Sequence, residues 1–141
     1  MIGPPASLLN TANFEFLARY DGLLVRVGAL AERYFPDDPV TALMKLRQFG
    51  ELLAQQAAAR VGVAATPDEP QAELLGRIQR DGGWPREVIE FFHHLRRCGN
   101  DAAHHHRGDH ATALAGLKVA RQLAIWFHRA FGDRAFKPGP F

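Results

Sequence analysis

Apolar residues recur along this chain at spacings of three and four, the rhythm of amphipathic helices, and no stretch alternates like a half-buried strand. An all-α fold class follows. From about Asn13 to Phe35, the residues Leu17, Tyr20, Leu24, Val27, Ala31 and Tyr34 step round one stripe until Pro36 stops it. Asp38 before Pro39 marks the next start, because a carboxylate accepts hydrogen bonds from free helix N–H groups and proline fits the first turn. This second helix points Leu43, Leu46, Phe49, Leu53 and Ala57 inward and exits near Gly62. Thr66 and Glu69 have capping-box spacing and introduce a shorter helix with Leu74, Leu75 and Ile78, ended by Gly82 and Gly83. Pro85 opens a fourth helix. Asp109 caps a last one, in which Leu117, Ala120, Leu123, Ala124, Phe127 and Phe131 face the core before Gly132. The expectation is an antiparallel bundle of four major helices and one short one.

At 141 residues and 47% hydrophobic, the chain has the material for one ordinary core, placed here at residues 13–132. Residues 1–12 read as a flexible N-terminal segment. Residues 133–141, rich in Gly and Pro, read as a linker-like tail leading to further domains. The single Cys98 cannot form an intramolecular disulfide, and no signal peptide or membrane span is evident, so a cytoplasmic protein without a membrane partner is expected. The net charge of +2 is too small for long-range steering, but it is built mainly from Arg, whose planar fork suits phosphate and carboxylate alike.

Six of the seven histidines, with Arg96, Arg97 and Arg107, crowd into residues 91–110. If the fourth helix runs through Gly99, then His93, Arg97, Asn100 and His104 share a stripe about 60° wide, given roughly 100° per residue. Val88, Phe92, Leu95, Gly99 and Ala102 form the opposite, core-facing strip, with Gly99 allowing a neighbouring helix to come close. On the polar stripe Arg97 is suited to hold a phosphate, an imidazole at His104 to move a proton, and Asn100 to orient either. Such a set is able to cleave RNA without a metal by activating the ribose 2′-hydroxyl. The same residues equally fit the solvated side of an ordinary helix.

Other chemistries find little support. His104 to His106 diverge by about 100° per residue on a helix, and only His106 with His110 has helical ligand spacing, interrupted by Gly108 and Asp109, so neither a metal nor another cofactor is expected. Cys98 lies at the margin of the apolar strip, where a small buried thiol is the default. The chain has no G-x-x-x-x-G-K-[ST] phosphate loop, and none of its lysines follows an acidic residue by two positions, as the usual metal-dependent nuclease signature requires. Phe91, Phe92, Trp84 and Trp126 occur at helical spacing and read as core.

The segment Leu95-Arg96-Arg97-Cys98-Gly99-Asn100-Asp101-Ala102-Ala103-His104 resembles the L-R-x-x-G-N-x-A-x-H pattern of a domain in the HEPN-like superfamily. With Tyr34 to Pro39, Lys45 to Leu52 and Ala120 to His128, it is similar to the helical domain at the N-terminus of some type I restriction enzyme R subunits and related helicases. The resemblance spans roughly Asn13 to Phe131 and implies a HEPN-like bundle, commonly dimeric, placed before a nuclease-and-motor polypeptide that restricts foreign DNA. It also implies roles by analogy, Arg97 engaging phosphate and His104 acting as acid and base. Two functions are therefore expected. One is a non-catalytic assembly module, partnered by other restriction-system subunits and touching nucleic acid through Arg47, Arg96, Arg97 and Arg107. The other is a metal-independent endoribonuclease with Arg97, Asn100 and His104 as catalytic residues, acting as a homodimer.

Overall fold

The computed structural model describes residues 11–141, so the N-terminal segment expected to be flexible falls almost wholly outside the described residues. A 3-10 turn, Glu15–Arg19, precedes five α-helices: α1 Gly22–Tyr34, α2 Pro39–Arg60, α3 Gln71–Asp81, α4 Arg86–His105 and α5 His110–Phe131. Among the described residues there is no strand. The all-α expectation, with one short helix among longer ones, matches this order.

The first helix is a correction. The continuous stripe from Asn13 to Phe35 is broken between the 3-10 turn and α1 by Asp21, which is extended (φ −164°, ψ 117°) and accepts a hydrogen bond from Leu23 N through its carboxylate. A second bond, from Gln56 Nε2 on α2 at 3.3 Å, holds the same carboxylate. Capping one helix and receiving a partner across the bundle together outweigh the continuous apolar stripe. The break lets Phe14 turn inward, where its ring lies against Gly28 of α1 and 5.0 Å from the Phe49 ring of α2.

The remaining boundaries follow their local chemistry. Asp38 accepts from Thr41 N and Oγ1 at 3.0 and 2.6 Å, with Pro39 in the first turn of α2. Asp109 accepts from Thr112 N at 2.8 Å at the start of α5. Thr66 and Glu69 do bond, Thr66 N donating to Glu69 Oε1 at 3.1 Å, but they close a turn before α3 instead of capping it, and α3 starts after Pro70. Arg77 on α3 then grips the Glu69 carboxylate in a fork, with Nε and Nη2 each at 2.8 Å.

α2 is the centre of the bundle and packs on all four other helices. It runs antiparallel to α4, with Gly50 against Leu95 and Arg47 against Gly99, and α4 in turn meets α5. Leu46, Phe49, Leu53, Phe92, Leu95, Leu123 and Phe127 are almost completely sealed from solvent. Trp84, Phe92 and Trp126 form an aromatic cluster with centroids 5.0–6.2 Å apart, Trp126 meeting both other rings edge-on, which places these aromatics with the core as their spacing predicted. Among the described residues, no helix is long and apolar enough to cross a membrane.

Candidate functional site

α4 runs unbroken through Gly99, and the reason lies across the interface: a methyl group on Gly99 would overlap Arg47 Cβ, so the glycine is what lets α2 and α4 touch backbone to side-chain root. The strip of Val88, Phe92, Leu95, Gly99 and Ala102 is buried against the core. His93, Arg97, Asn100 and His104 consequently lie on the other side of α4, as their spacing predicted.

The four are not equivalent. Arg97 and His104 are exposed, and among the described residues neither side chain has a hydrogen bond or an ion pair within the protein. Seven residues of helix separate their backbones by roughly 10 Å, a span that flexible side chains narrow toward a ligand. Asn100 is half-buried, and its Oδ1 accepts from Arg47 Nη1 at 3.1 Å. The carboxamide is therefore a tether between α2 and α4. His93 is half-buried, and its Nδ1 accepts from Arg96 Nε at 3.3 Å. Burial first, then the neighbouring Arg96 and Arg97 charges, push the His93 imidazole below its usual titration range, so it sits neutral as an acceptor.

The four candidate nucleic-acid-binding arginines divide in the same way. Arg97 and Arg107 are exposed, whereas Arg96 is partly covered and holds His93. Arg47 is the most committed, bonded to Asn100, 3.9 Å from Glu51, and with its Nε buried without a partner. Arg47 is thus tied into the α2–α4 interface, whereas Arg97 and Arg107 have no hydrogen bond or ion pair within the protein among the described residues.

α4 ends at His105, and His106 adopts a left-handed conformation (φ 51°), which turns the chain toward Gly108 and α5. His104, His105 and His106 splay outward, while His110 is drawn to the far end of α1, its Nε2 2.8 Å from the Pro36 carbonyl and its ring edge-on to Phe35. Among the described residues no three His, Cys, Asp or Glu side chains converge on a common point able to hold a metal ion. Cys98 is half-buried beside the core with Sγ 3.7 Å from His94 Nε2, and burial, reinforced by Asp101, pushes its thiol up and away from the reactive thiolate. An open groove of about 480 Å³ runs between α1 and α2, lined by Leu23, Val27, Leu30 and Leu52 among others. It contains none of the candidate residues.

Sequence reasoning missed two buried polar side chains on α5. Arg121 and His128 are only 4% and 5% exposed, and they bond to the residues flanking the bundle: Arg121 to Asn13 Oδ1 at 2.7 Å and to the Gly139 carbonyl, His128 to the Tyr20 hydroxyl at 2.6 Å. Their partners lie up to 108 positions away, so no local pattern points to them.

No protein-family profile matches the chain, and no solved structure matches it. Over 122 residues the chain is 34% identical to the type I restriction enzyme EcoKI endonuclease subunit of Escherichia coli strain K12, a match covering 86% of this chain and 10% of that protein. The chain therefore spans about a tenth of the length of the curated relative it matches. Similarity at that level along most of the present sequence links this helical bundle to the endonuclease subunits of type I restriction enzymes.

Proposed function

We propose that this chain is a HEPN-like helical accessory module of a type I restriction endonuclease subunit, one that assembles with other restriction-system subunits and contacts nucleic acid through the exposed side of α4. The observation that carries the restriction-system role is the 34% identity over 122 residues to such a subunit. The chemistry of this surface supports the nucleic-acid contact: Arg97 on α4 and Arg107 in the loop that follows it are exposed guanidiniums, and phosphate contacts of this kind give binding that weakens steeply with salt. The test is fluorescence anisotropy of the 141-residue chain with a labelled duplex across a salt series, beside co-purification with the other subunits of a type I system. Weak, salt-sensitive binding that Arg97→Ala and Arg107→Ala reduce is expected. Tight binding indifferent to salt, or to both substitutions, overturns the phosphate contact, and failure to co-purify overturns assembly.

A second reading, a metal-independent endoribonuclease acting as a dimer, is favoured by one observation: Arg97 and His104 stand unengaged on the same side of a continuous helix. Here Arg97 neutralises phosphate charge, His104 moves the proton of the ribose 2′-hydroxyl, and Asn100 holds its donors toward the same region. It requires RNA cleavage in EDTA, none of DNA, and loss of cleavage in both Arg97→Ala and His104→Ala with the fold intact. Equal residual cutting by the wild type and both variants disposes of it.

A further inference from the structure

The segment after α5 has no regular secondary structure, yet it is held to the bundle along its length. Gly132 N and Asp133 N both donate to the His128 carbonyl, and Phe136 N donates to Asp133 O at 3.0 Å, folding the chain back over the end of α5. The Phe136 ring then lies 4.6 Å from the His128 imidazole and 4.8 Å from Phe16, while Arg129 Nε donates to the Phe136 carbonyl at 3.0 Å. Further on, buried Arg121 donates to the Gly139 carbonyl, and Lys118 Nζ sits over the Phe141 ring at 5.8 Å. Four residues of α5 thus face this segment, and His128 stands where the segment, the 3-10 turn and Tyr20 meet.

We infer that residues 133–141 form a strap latched onto α5 by the neutral imidazole of His128, and that protonating this imidazole releases the strap. His128 is 5% exposed and boxed by Phe16, Tyr20 and Phe136, so an added charge has little water to solvate it. Of the charged groups near it, Arg19 from the 3-10 turn disfavours a cation and the carboxylate of Asp133 favours one, while Arg129 of its own helix is turned to the Phe136 carbonyl and Arg60 of α2 to the Tyr20 and Phe127 rings. Nδ1 is 2.6 Å from the Tyr20 hydroxyl, which donates to it when the ring is neutral and its other nitrogen carries the proton. A second proton at Nδ1 reverses that donor and leaves the hydroxyl hydrogen to find another partner.

Burial, then Arg19, holds the imidazole below its ordinary value of 6.5, with Asp133 opposing. Release removes the cover of Phe136 together with the opposing Asp133, and because burial is the largest of these effects and Asp133 the smallest, the latched state binds fewer protons than the released one. The neutral ring's contribution to closure is fully present above the ordinary value, falls as pH drops below it, and levels off below the lowered value of the latched ring. Between those two limits the closing equilibrium changes by up to about tenfold per pH unit.

The test is the ¹⁵N heteronuclear NOE of Ala135, Phe136 and Phe141 in the 141-residue chain at about pH 7.5 and about pH 5, with the His128 imidazole resonances followed in the same samples. The expected result is a rigid strap at the higher pH and a mobile one at the lower, with helix amides unchanged and the mobility rising with the His128 titration. His128→Gln, which keeps an acceptor for Tyr20 but does not titrate, is expected to give a strap whose mobility is the same at both pH values. A strap equally rigid at both pH values in the wild type overturns the inference. So does mobility whose midpoint departs from the His128 titration, a readout that needs no variant, and so does acid release in His128→Gln matching that of the wild type.

Discussion

Replacing Gly99 by Ala pits local helix preference against packing, and the structure decides the sign. On an isolated helix the change is favourable by about 1 kcal/mol. In this bundle the new methyl group overlaps Arg47 Cβ and comes within 2.9 and 3.0 Å of its Cγ and Cδ. The Cβ is fixed to the α2 backbone and has no rotamer by which to leave, so α2 and α4 must separate. That movement strains a packed interface at a cost of about 1–3 kcal/mol. It also stretches the Arg47–Asn100 hydrogen bond, now 3.1 Å long, which contributes about 1 kcal/mol. Set against the helix gain, the net loss is about 1–3 kcal/mol. For a chain of this size that lowers the melting temperature by about 3–10 °C, measurable by circular dichroism or by urea unfolding. A Gly99→Ala protein melting at or above the wild-type temperature would refute the close approach and the account of why α4 carries a glycine at its centre.

Phe49→Ala removes a fully buried ring 5.0 Å from Phe14 and is expected to cost about 3–5 kcal/mol in chemical unfolding; a loss below about 1 kcal/mol would contradict its place in the core. The Arg77 fork, followed by the Thr66 amide, holds the Glu69 carboxyl down at about 2 from its ordinary 4.5. This group's contribution is present above 4.5 and fades as pH falls toward 2. Thermal melts should thus show Glu69→Gln less stable than wild type near neutrality, with the two converging in acid; a constant gap at every pH argues against the ion pair. Arg97→Ala should leave unfolding stability within about 0.5 kcal/mol and lower the salt slope of nucleic-acid binding by about one. Arg47→Ala, by contrast, should lower the melting temperature through Asn100, and an unchanged melt would show that the tether contributes nothing.

What was legible in the sequence was local. Asp38 and Asp109 announce helices because a cap needs only a carboxylate and the amides two or three residues on. The division of α4 into a buried strip and an outward stripe follows from its angular period alone. The break before α1 was less visible: Leu17, Tyr20 and Leu24 keep helical register across it, and Asp21 is fixed partly by Gln56, 35 positions away. Asn100 reads from spacing as a free member of the stripe, because Arg47 lies 53 positions upstream and only the close crossing at Gly99 brings it near. Arg121 and His128 were invisible for the same reason. A buried polar group is identified by its partner, and theirs lie outside any local window.

The interruption at Asp21 also determines how this domain may be shortened. Residues 11–20 look dispensable as a preface to the first long helix, but Thr11, Phe14 and Leu17 are buried, and Asn13 bridges Glu32 of α1 and Arg121 of α5. A fragment starting at Gly22 would expose the apolar walls those side chains cover and deprive the buried Arg121 guanidinium of its Asn13 partner. Trimming to the helix boundary would therefore favour aggregation, and a workable truncation must keep the eleven residues 11–21 before it.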